Sequence, residues 1–270
     1  MTVRLVVSDV DGTLVDKQKA LTPGTIAAVR RLDAAGVGFT IISARPMSGL
    51  KPIADALALD VPIAAFNGGI VFHRDGRIES HVTIPSEVAT GVLKAAEGQA
   101  VDIWVFADDR WYATSDQGTH VEHERVASNQ APIVTADFAA LIDRADKITF
   151  VSDDEPLLRG LHAQIEHLDD RATIAQSQTY YLDVTALAAN KGDGIAALAK
   201  AFDVPMEAIA AIGDQANDLP MLKRAGIAIA MGNSPDRVKA AAHHVVAGND
   251  ADGVAQAIDT LILTSTGVAA

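Results

Sequence analysis

Six residues near the N-terminus, Asp9-Val10-Asp11-Gly12-Thr13-Leu14, restrict what this chain can fold into more than any other stretch. They follow Val3-Arg4-Leu5-Val6-Val7, a short apolar, β-branched run of the kind that forms a strand buried on both faces of a parallel sheet. Two carboxylates therefore stand at the carboxyl end of a strand, where open α/β sheets bind ligands. Residues two apart in extended backbone point the same way, so Asp9 and Asp11 can face one site. Gly12 lets the chain turn sharply and approach a ligand closely. Neighbouring acids repel and raise each other's pKa unless a cation or a proton sits between them. The pair implies a divalent metal, one protonated acid, or both. By itself the hexapeptide also describes an Asp/Gly turn with two solvated acids.

The chain has 270 residues, room for one large domain or for a core with a second module. Its 49% hydrophobic and 21% charged residues are ordinary for a globular protein. No apolar run approaches the roughly 20 residues of a membrane span. The first strand begins almost at once, which leaves no room for a signal peptide. Without cysteine there are no disulfides or thiolate metal sites, which fits a cytoplasmic protein. The formal net charge of −13 argues against nucleic acid as a partner. An anionic substrate would need local cations, or a metal, against that global field.

Thr22 and Pro23 suit the start of a helix that Gly36 stops, with Ile26, Val29 and Leu32 at helical spacing. Val37 to Ile42 reads as a second buried strand, completing a βαβ unit whose polar tip is Ser43-Ala44-Arg45-Pro46. A helix from Met47 to about Leu57 follows, and such a helix start attracts anions. Ser43 is read either as an anion-binding hydroxyl or as an N-cap. Pro62 to Phe66 is a third strand, closed by Asn67-Gly68-Gly69, and Asp75-Gly76 between two β-rich runs marks a hairpin.

From about Pro85 to Thr185 the pattern changes: this segment holds both tryptophans and all three tyrosines, and its strands read as half-exposed. Val101 to Phe106, Lys147 to Val151, Thr173 to Ala175 and Tyr180 to Val184 are strands; Glu87 to Glu97 and Glu155 to His167 are helices. The segment is read as an inserted antiparallel sheet with helices on one side. The core pattern resumes with a helix from Lys191 to about Phe202 and a buried strand, Ala208 to Ile212, ending in Gly213-Asp214-Gln215-Ala216-Asn217-Asp218. A helix through Met221 and Leu222, strands at Ile227 to Met231 and His244 to Ala247, and a helix from about Gly253 to Leu263 complete it. The small, polar last residues are expected to be disordered. The fold class is α/β: a Rossmann-like, doubly wound parallel core, residues 1–84 and 186–270, with an inserted α+β domain, residues 85–185.

Asp9/Asp11, Ser43, Lys191 and Asp214/Asn217/Asp218 all fall at strand ends or helix starts. Singly each has a plain reading: Lys191 as a surface lysine, Asp214 and Asp218 as helix caps. Together they are what phosphoryl transfer needs, namely a nucleophile, an acid/base, a metal cradle and a cation for the phosphate. Mg²⁺ prefers such oxygen ligands.

These four groups, in order and at suitable positions, resemble the four motifs of the haloacid dehalogenase superfamily. Asn67-Gly68-Gly69, the insertion between the second and third motifs, Met231-Gly232-Asn233 and Asn249-Asp250-Ala251-Asp252-Gly253-Val254 narrow the resemblance to its Cof-like phosphatases with a type IIB cap. The resemblance implies that Asp9 is the nucleophile and a Mg²⁺ ligand, and that Asp11 is the general acid/base and offers the metal its backbone carbonyl. Asp214 would be the further acidic ligand, with Asp218 supporting it. Ser43 and the amides of Ala44 and Val10 would hold the phosphoryl oxygens, Lys191 would neutralise the phosphate, and Asn217 would donate to it. Many relatives have Thr-Gly-Arg where this chain has Ser43-Ala44-Arg45, which keeps the hydroxyl and the amide. Arg45, Asn67 and Asp183 are possible substrate contacts, Arg45 alternatively pairing with a core acid. The implied activity is Mg²⁺-dependent hydrolysis of small phosphomonoesters, sugar phosphates above all, through an aspartyl-phosphate. A phosphomutase or phosphotransferase, or a non-catalytic sugar-phosphate-binding regulator, are the alternatives.

His120 and His123, with Glu122 and Glu124, read as a solvated polar helix face rather than a metal site. Trp104, Trp111 and Tyr112 read as core of the inserted domain, and Asp153-Asp154-Glu155 as a helix start.

Overall fold

The computed structural model describes residues 2–264; the C-terminal residues expected to be disordered lie mostly outside that range. Apolar β-branched runs with both faces buried become parallel strands here, as their composition requires. In chain order the first half of the core is β1 (Leu5–Ser8), α1 (Pro23–Ala34), β2 (Gly38–Ile41), α2 (Met47–Ala56), β3 (Ile63–Ala65), β4 (Ile70–Phe72) and β5 (Ile78–His81). Thr22 caps α1 by accepting from the Thr25 amide at 3.0 Å. The predicted Asp75-Gly76 hairpin joins β4 to β5, which with β3 form a small antiparallel sheet beside the core sheet.

The inserted region runs through α3 (Ser86–Ala95), β6 (Asp102–Ala107), β7 (Arg110–Ala113), α4 (Val121–Ser128), β8 (Ile133–Val134), β9 (Ala145–Val151), α5 (Glu155–Ile165), β10 (Ala172–Gln178) and β11 (Tyr181–Ala186). Its six strands take the order β10-β11-β9-β6-β7-β8, antiparallel except for the β7–β8 pair. The core resumes with α6 (Lys191–Ala201), β12 (Ile209–Gly213), α7 (Leu219–Arg224), β13 (Ile227–Ala230), α8 (Asp236–Lys239), β14 (His244–Val245) and α9 (Gly253–Ala257).

The five-stranded parallel sheet has the order β14-β13-β12-β1-β2. Alternate residues of β1 serve opposite layers: Val6 packs on the side of Val29 and Leu50, Leu5 and Val7 on the side of Ile195 and Leu198. The chain leaves β1 toward β2 and returns on its other side at β12. That reversal opens a crevice beyond the carboxyl ends of β1 and β12, the usual ligand position in such sheets.

Three expectations are corrected. The central strands of the inserted sheet, β6, β9 and β11, are not half-exposed, whereas β10 is partly exposed and the edge strand β8 is exposed. One face packs on α3 and α5 through Val105, Ile148, Phe150 and Leu182, and the other is covered by the core. Trp104, Phe106 and Trp111 join the same apolar layer as Phe66 and Ile70, with the Phe66 and Phe106 ring centres 5.9 Å apart. Strand β7 and the short β8, which no run of alternation announced, extend that sheet. Finally, the His120–Glu124 stretch is not wholly solvated: Glu124 is buried, while His120 stacks on Tyr180 at 3.8 Å between ring centres.

Helix α4 sits tightly on α2. A Cβ at Gly49 would lie 2.2 Å from the Ala127 carbonyl oxygen, so only glycine admits this approach. The Asp109 carboxylate also accepts from the Ser48 amide at 2.9 Å, and Gln130 donates to the Ser48 hydroxyl at 3.0 Å. Replacing Gly49 by Ala should therefore lower unfolding stability by about 1–3 kcal/mol, read by urea denaturation; an unchanged midpoint would show that the two layers are not in firm contact.

Candidate active site

The β1–β12 register, with Ser8 beside Ile212, brings Asp9 and Asp214 to the same end of the sheet, at the crevice. Asp9, Asp214 and Asp218 each bring a carboxylate oxygen within 4.8 Å of the others, and all three are buried. Lys191, the first residue of α6, enters the same space; it is 1% exposed and donates to Asp9 Oδ1 and to Asp218 Oδ1, both at 2.5 Å. The plain reading of Lys191 as a surface lysine is thus excluded. Asn190 accepts from the Asp193 amide at 3.0 Å and fixes the start of α6, and with it the root of Lys191.

With all three carboxylates ionised, one ammonium would leave two buried negative charges. Burial pushes the Asp9 carboxyl up to about 8 and the Asp214 carboxyl up to about 6, and repulsion from Asp218 adds to both. Burial alone would lower the Lys191 ammonium, but Asp218 and Asp9 hold it charged above the ordinary lysine value. A divalent cation matches this deficit in charge and in donor type. Asp9 and Asp214 are the residues fitted to hold it. Both Asp218 oxygens are otherwise engaged: one takes Lys191, the other accepts from the Asp214 and Gln215 amides at 2.7 and 2.8 Å. Asp218 therefore fixes the loop and the lysine, and its capping reading is partly right.

Asp214 is steadied by Thr13 at 3.1 Å, Gln215 at 3.1 Å and Asn233 at 3.2 Å. Gly12 (φ +79°) passes so close that a Cβ there would lie 2.4 Å from Asp214 Oδ2. The turn needs glycine both for its left-handed backbone and for the space.

Asp11 faces a different set of groups. Arg45 clamps its two oxygens at 2.7 Å each, and Lys19 adds a contact at 2.6 Å. Burial alone would raise the Asp11 carboxyl, yet Arg45 and Lys19 hold it well below the usual carboxylate range. Of the two readings of Arg45, this structure displays the pairing with a core acid. Its Nη1 also donates to the Gly49 carbonyl at 3.3 Å.

Ser43 is buried, and it does not cap α2, whose N-cap is Pro46 with no side-chain bond. Its hydroxyl accepts from the Arg45 amide at 3.2 Å. The amides of Val10 and Ala44 find no acceptor among the described residues, so both are free to bind an anion. Asn67 and Asn217 meet across the crevice at 3.4 Å, Asn67 and the preceding Phe66 both adopting left-handed backbone, a local strain. Asp183 lies on β11 and accepts from the Thr149 hydroxyl at 2.6 Å.

Sequence reasoning gave no role to Lys19 or Lys147, quoted Thr13 and Asn233 only as motif positions, and read Glu124 as solvated. Lys19 lies in an irregular loop with φ 62° and gave no local signal. Lys147 was findable: alternation places it on the same face as Thr149, inside a strand otherwise rich in apolar residues.

A family model for haloacid dehalogenase-like hydrolases matches residues 6–258. The pyridoxal phosphate phosphatase of Escherichia coli K12 is 29% identical over 269 residues, covering 96% of this chain and 98% of its own. A Bacillus subtilis phosphatase named for 5-amino-6-(5-phospho-D-ribitylamino)uracil is 28% identical, covering 93% of this chain and 95% of its own. A solved haloacid dehalogenase-like hydrolase from Bacteroides thetaiotaomicron superposes with a TM-score of 0.88 at 27% identity, covering 96% and 99% of the two chains. The fold of a subclass IIB sugar phosphatase matches at 0.81. This chain belongs to the haloacid dehalogenase-like hydrolases. Within them it is a Cof-like phosphatase, its inserted sheet forming the cap.

Two outcomes follow from the buried charges. With EDTA present at pH 8, Lys191→Met should cost about 3–5 kcal/mol in urea denaturation, because it strands the carboxylates that the ammonium offsets; a neutral result would mean that they are already protonated. Glu124 provides a pH readout. Burial first, then repulsion from Asp183 and Asp11, pushes its carboxyl up from 4.5 to about 7. The folded chain thus binds this proton more readily than the unfolded one, so the contribution is full below pH 4.5 and is lost as pH rises toward and past 7. Glu124→Gln should gain on the order of 2 kcal/mol relative to wild type between pH 5 and pH 8. A pH-independent difference would overturn that assignment.

Proposed function

We propose that the protein is a Mg²⁺-dependent phosphomonoesterase that hydrolyses small phosphorylated metabolites through an aspartyl-phosphate on Asp9. The observation that carries this reading is the buried Asp9–Lys191–Asp218 chain beside Asp214, at the one crevice where the Val10 and Ala44 amides are unpaired. Phosphatase relatives that align over nearly their whole length support it and disfavour the non-catalytic regulator. Phosphoryl transfer to a second sugar would use the same groups and differ only in the acceptor. Residues 1–84 and 186–270 would supply the chemistry and 85–185 the cap.

Asp9 keeps one oxygen on Lys191 and presents the other to phosphorus. The phosphoryl oxygens rest on the Ser43 hydroxyl and the Val10 and Ala44 amides, Lys191 offsets their charge, and Asn217 donates from the rim. A bound Mg²⁺ supplies neutralisation of charge between the phosphate and the attacking carboxylate. As the Asp9–phosphorus bond forms, the ester oxygen leaves and takes a proton from Asp11. Asp11 then accepts a proton from the water that attacks phosphorus, and Asp9 is released as a carboxylate. Paired with Arg45 and Lys19, Asp11 stands in its base form. Its turn as an acid requires substrate to displace one of those cations and Asp11 to take up a proton from solvent first; the water-activation step returns that proton to it for the next cycle. The cap, seated on α2, excludes bulk water while the acyl-phosphate exists.

Asp9→Asn should lower phosphate release from p-nitrophenyl phosphate by at least about a thousandfold with the far-ultraviolet circular dichroism unchanged. Wild-type activity should vanish in EDTA and return with Mg²⁺. Turnover by the Asn variant would remove Asp9 from the nucleophile role, and activity indifferent to EDTA would remove the metal.

A further inference from the structure

Three successive residues beside the crevice have left-handed backbone: Phe66 (φ 46°), Asn67 (φ 58°) and Gly68 (φ 103°). Glycine adopts this region freely and asparagine tolerates it, but a bulky aromatic residue there is an outlier. Such strain persists only where the surroundings over-determine it, and it collects at functional sites. Here three neighbours hold it. The Phe66 ring is 1% exposed and lies in the layer between core and cap, edge-on to Phe106. Gly68 abuts α6, where a Cβ on it would lie 2.4 Å from the Gly194 Cα. The Gly69 carbonyl accepts from the Val82 amide at 2.9 Å, which ties the end of the segment to the chain just after β5.

The strained backbone acts on the Ser43-Ala44-Arg45 loop. Ile42 and Ala64 form a parallel bridge, and the Ser43 amide donates to the Ala64 carbonyl at 3.0 Å. Continued regularly, that ladder would bring the Phe66 amide to the Ser43 carbonyl. The left-handed turn shifts the pairing by one residue. Phe66 donates instead to the Arg45 carbonyl at 3.0 Å, and Asn67 donates to the Ser43 carbonyl at 2.7 Å. Two successive amides thus grip the carbonyls on either side of Ala44. In a trans peptide the C=O and the next N–H point in opposite directions across one rigid plane, and none of the described peptide bonds is cis. Fixing the Ser43 carbonyl on Asn67 therefore turns the Ala44 amide away from that segment, where it has no protein acceptor and stands open to an anion.

We infer that Phe66 and Asn67 are positioning residues for phosphate binding: their main-chain amides, delivered by left-handed backbone, fix the Ser43–Ala44 peptide plane so that the Ala44 N–H meets a phosphoryl oxygen. This rests on the phosphatase reading above. It moves the role of Asn67 from its side chain, whose Oδ1 accepts from Asn217 at 3.4 Å, to its backbone. A substrate contact would reside in the side-chain amide, whereas positioning resides in φ, and substitution separates the two.

The test is affinity for inorganic phosphate. It is read as competitive inhibition of p-nitrophenyl phosphate hydrolysis with Mg²⁺ and, independently of turnover, as the rise in melting temperature that Mg²⁺ and phosphate produce together. Asn67→Gly and Asn67→Val both delete the side-chain amide, but glycine keeps the left-handed backbone and valine, stiff and β-branched, is excluded from it. With matching far-ultraviolet circular dichroism, Asn67→Gly should bind phosphate at least about tenfold more tightly than Asn67→Val. Should valine prevent folding, Asn67→Ala replaces it in the comparison, with phosphate bound at least about threefold more weakly than by Asn67→Gly. Equal affinity in the compared pair overturns the inference, as does weaker binding by the glycine variant. A wild-type protein that neither hydrolyses p-nitrophenyl phosphate nor gains melting temperature with phosphate would instead defeat the phosphatase reading itself, and this inference with it.

Discussion

The contact on which the rest of this molecule depends is the one between a buried lysine and two buried aspartates. Lys191 is enclosed with Asp9 on one side and Asp218 on the other, and neither acid would tolerate that depth without it. The same ammonium that makes the arrangement foldable leaves it short of positive charge once Asp214 is counted. Stability and metal demand are therefore one electrostatic problem. The protein solves half of it with a side chain, and the other half can be met by a proton or by a cation.

Asp11 belongs to a separate circuit. Although only one residue intervenes between it and Asp9, its carboxylate turns toward Arg45 and Lys19, while Asp9 turns toward Lys191. Two acids with different neighbours can hold different protonation states at one pH: burial raises the Asp9 carboxyl, whereas Arg45 and Lys19 keep Asp11 ionised. The separation comes from the tight turn at Gly12, where the chain passes against Asp214.

The core was legible in the sequence because buried parallel strands leave continuous apolar runs, and because the polar residues that interrupt them cluster at strand ends. Asp9, Lys191 and Asp214 were located that way, and the structure brings them together. The cap was legible in type but not in detail. Trp104 and Phe106 alternate with their neighbours, as a strand exposed on one face would, yet the core covers that face, and covering by a distant part of the chain leaves no mark on local periodicity. Glu124 shows the same limit. Flanked by charged residues, it reads as solvated, yet the folded chain buries it. Arg45 and Lys19 could not be assigned to Asp11 from spacing, since both reach it from irregular backbone.

The order of strands in the parallel sheet has a consequence for how the chain emerges during synthesis. β1 lies inside the sheet between β12 and β2, but β12 begins only at Ile209, after the whole cap has been made. Until then one hydrogen-bonding edge of β1 is bare, and Asp9 waits 182 positions for its lysine. Contacts of such long sequence separation close slowly. The nascent N-terminal half is thus an unfinished sheet with an adhesive apolar border, and shielding by a chaperone or by early collapse of the cap would matter most in that interval.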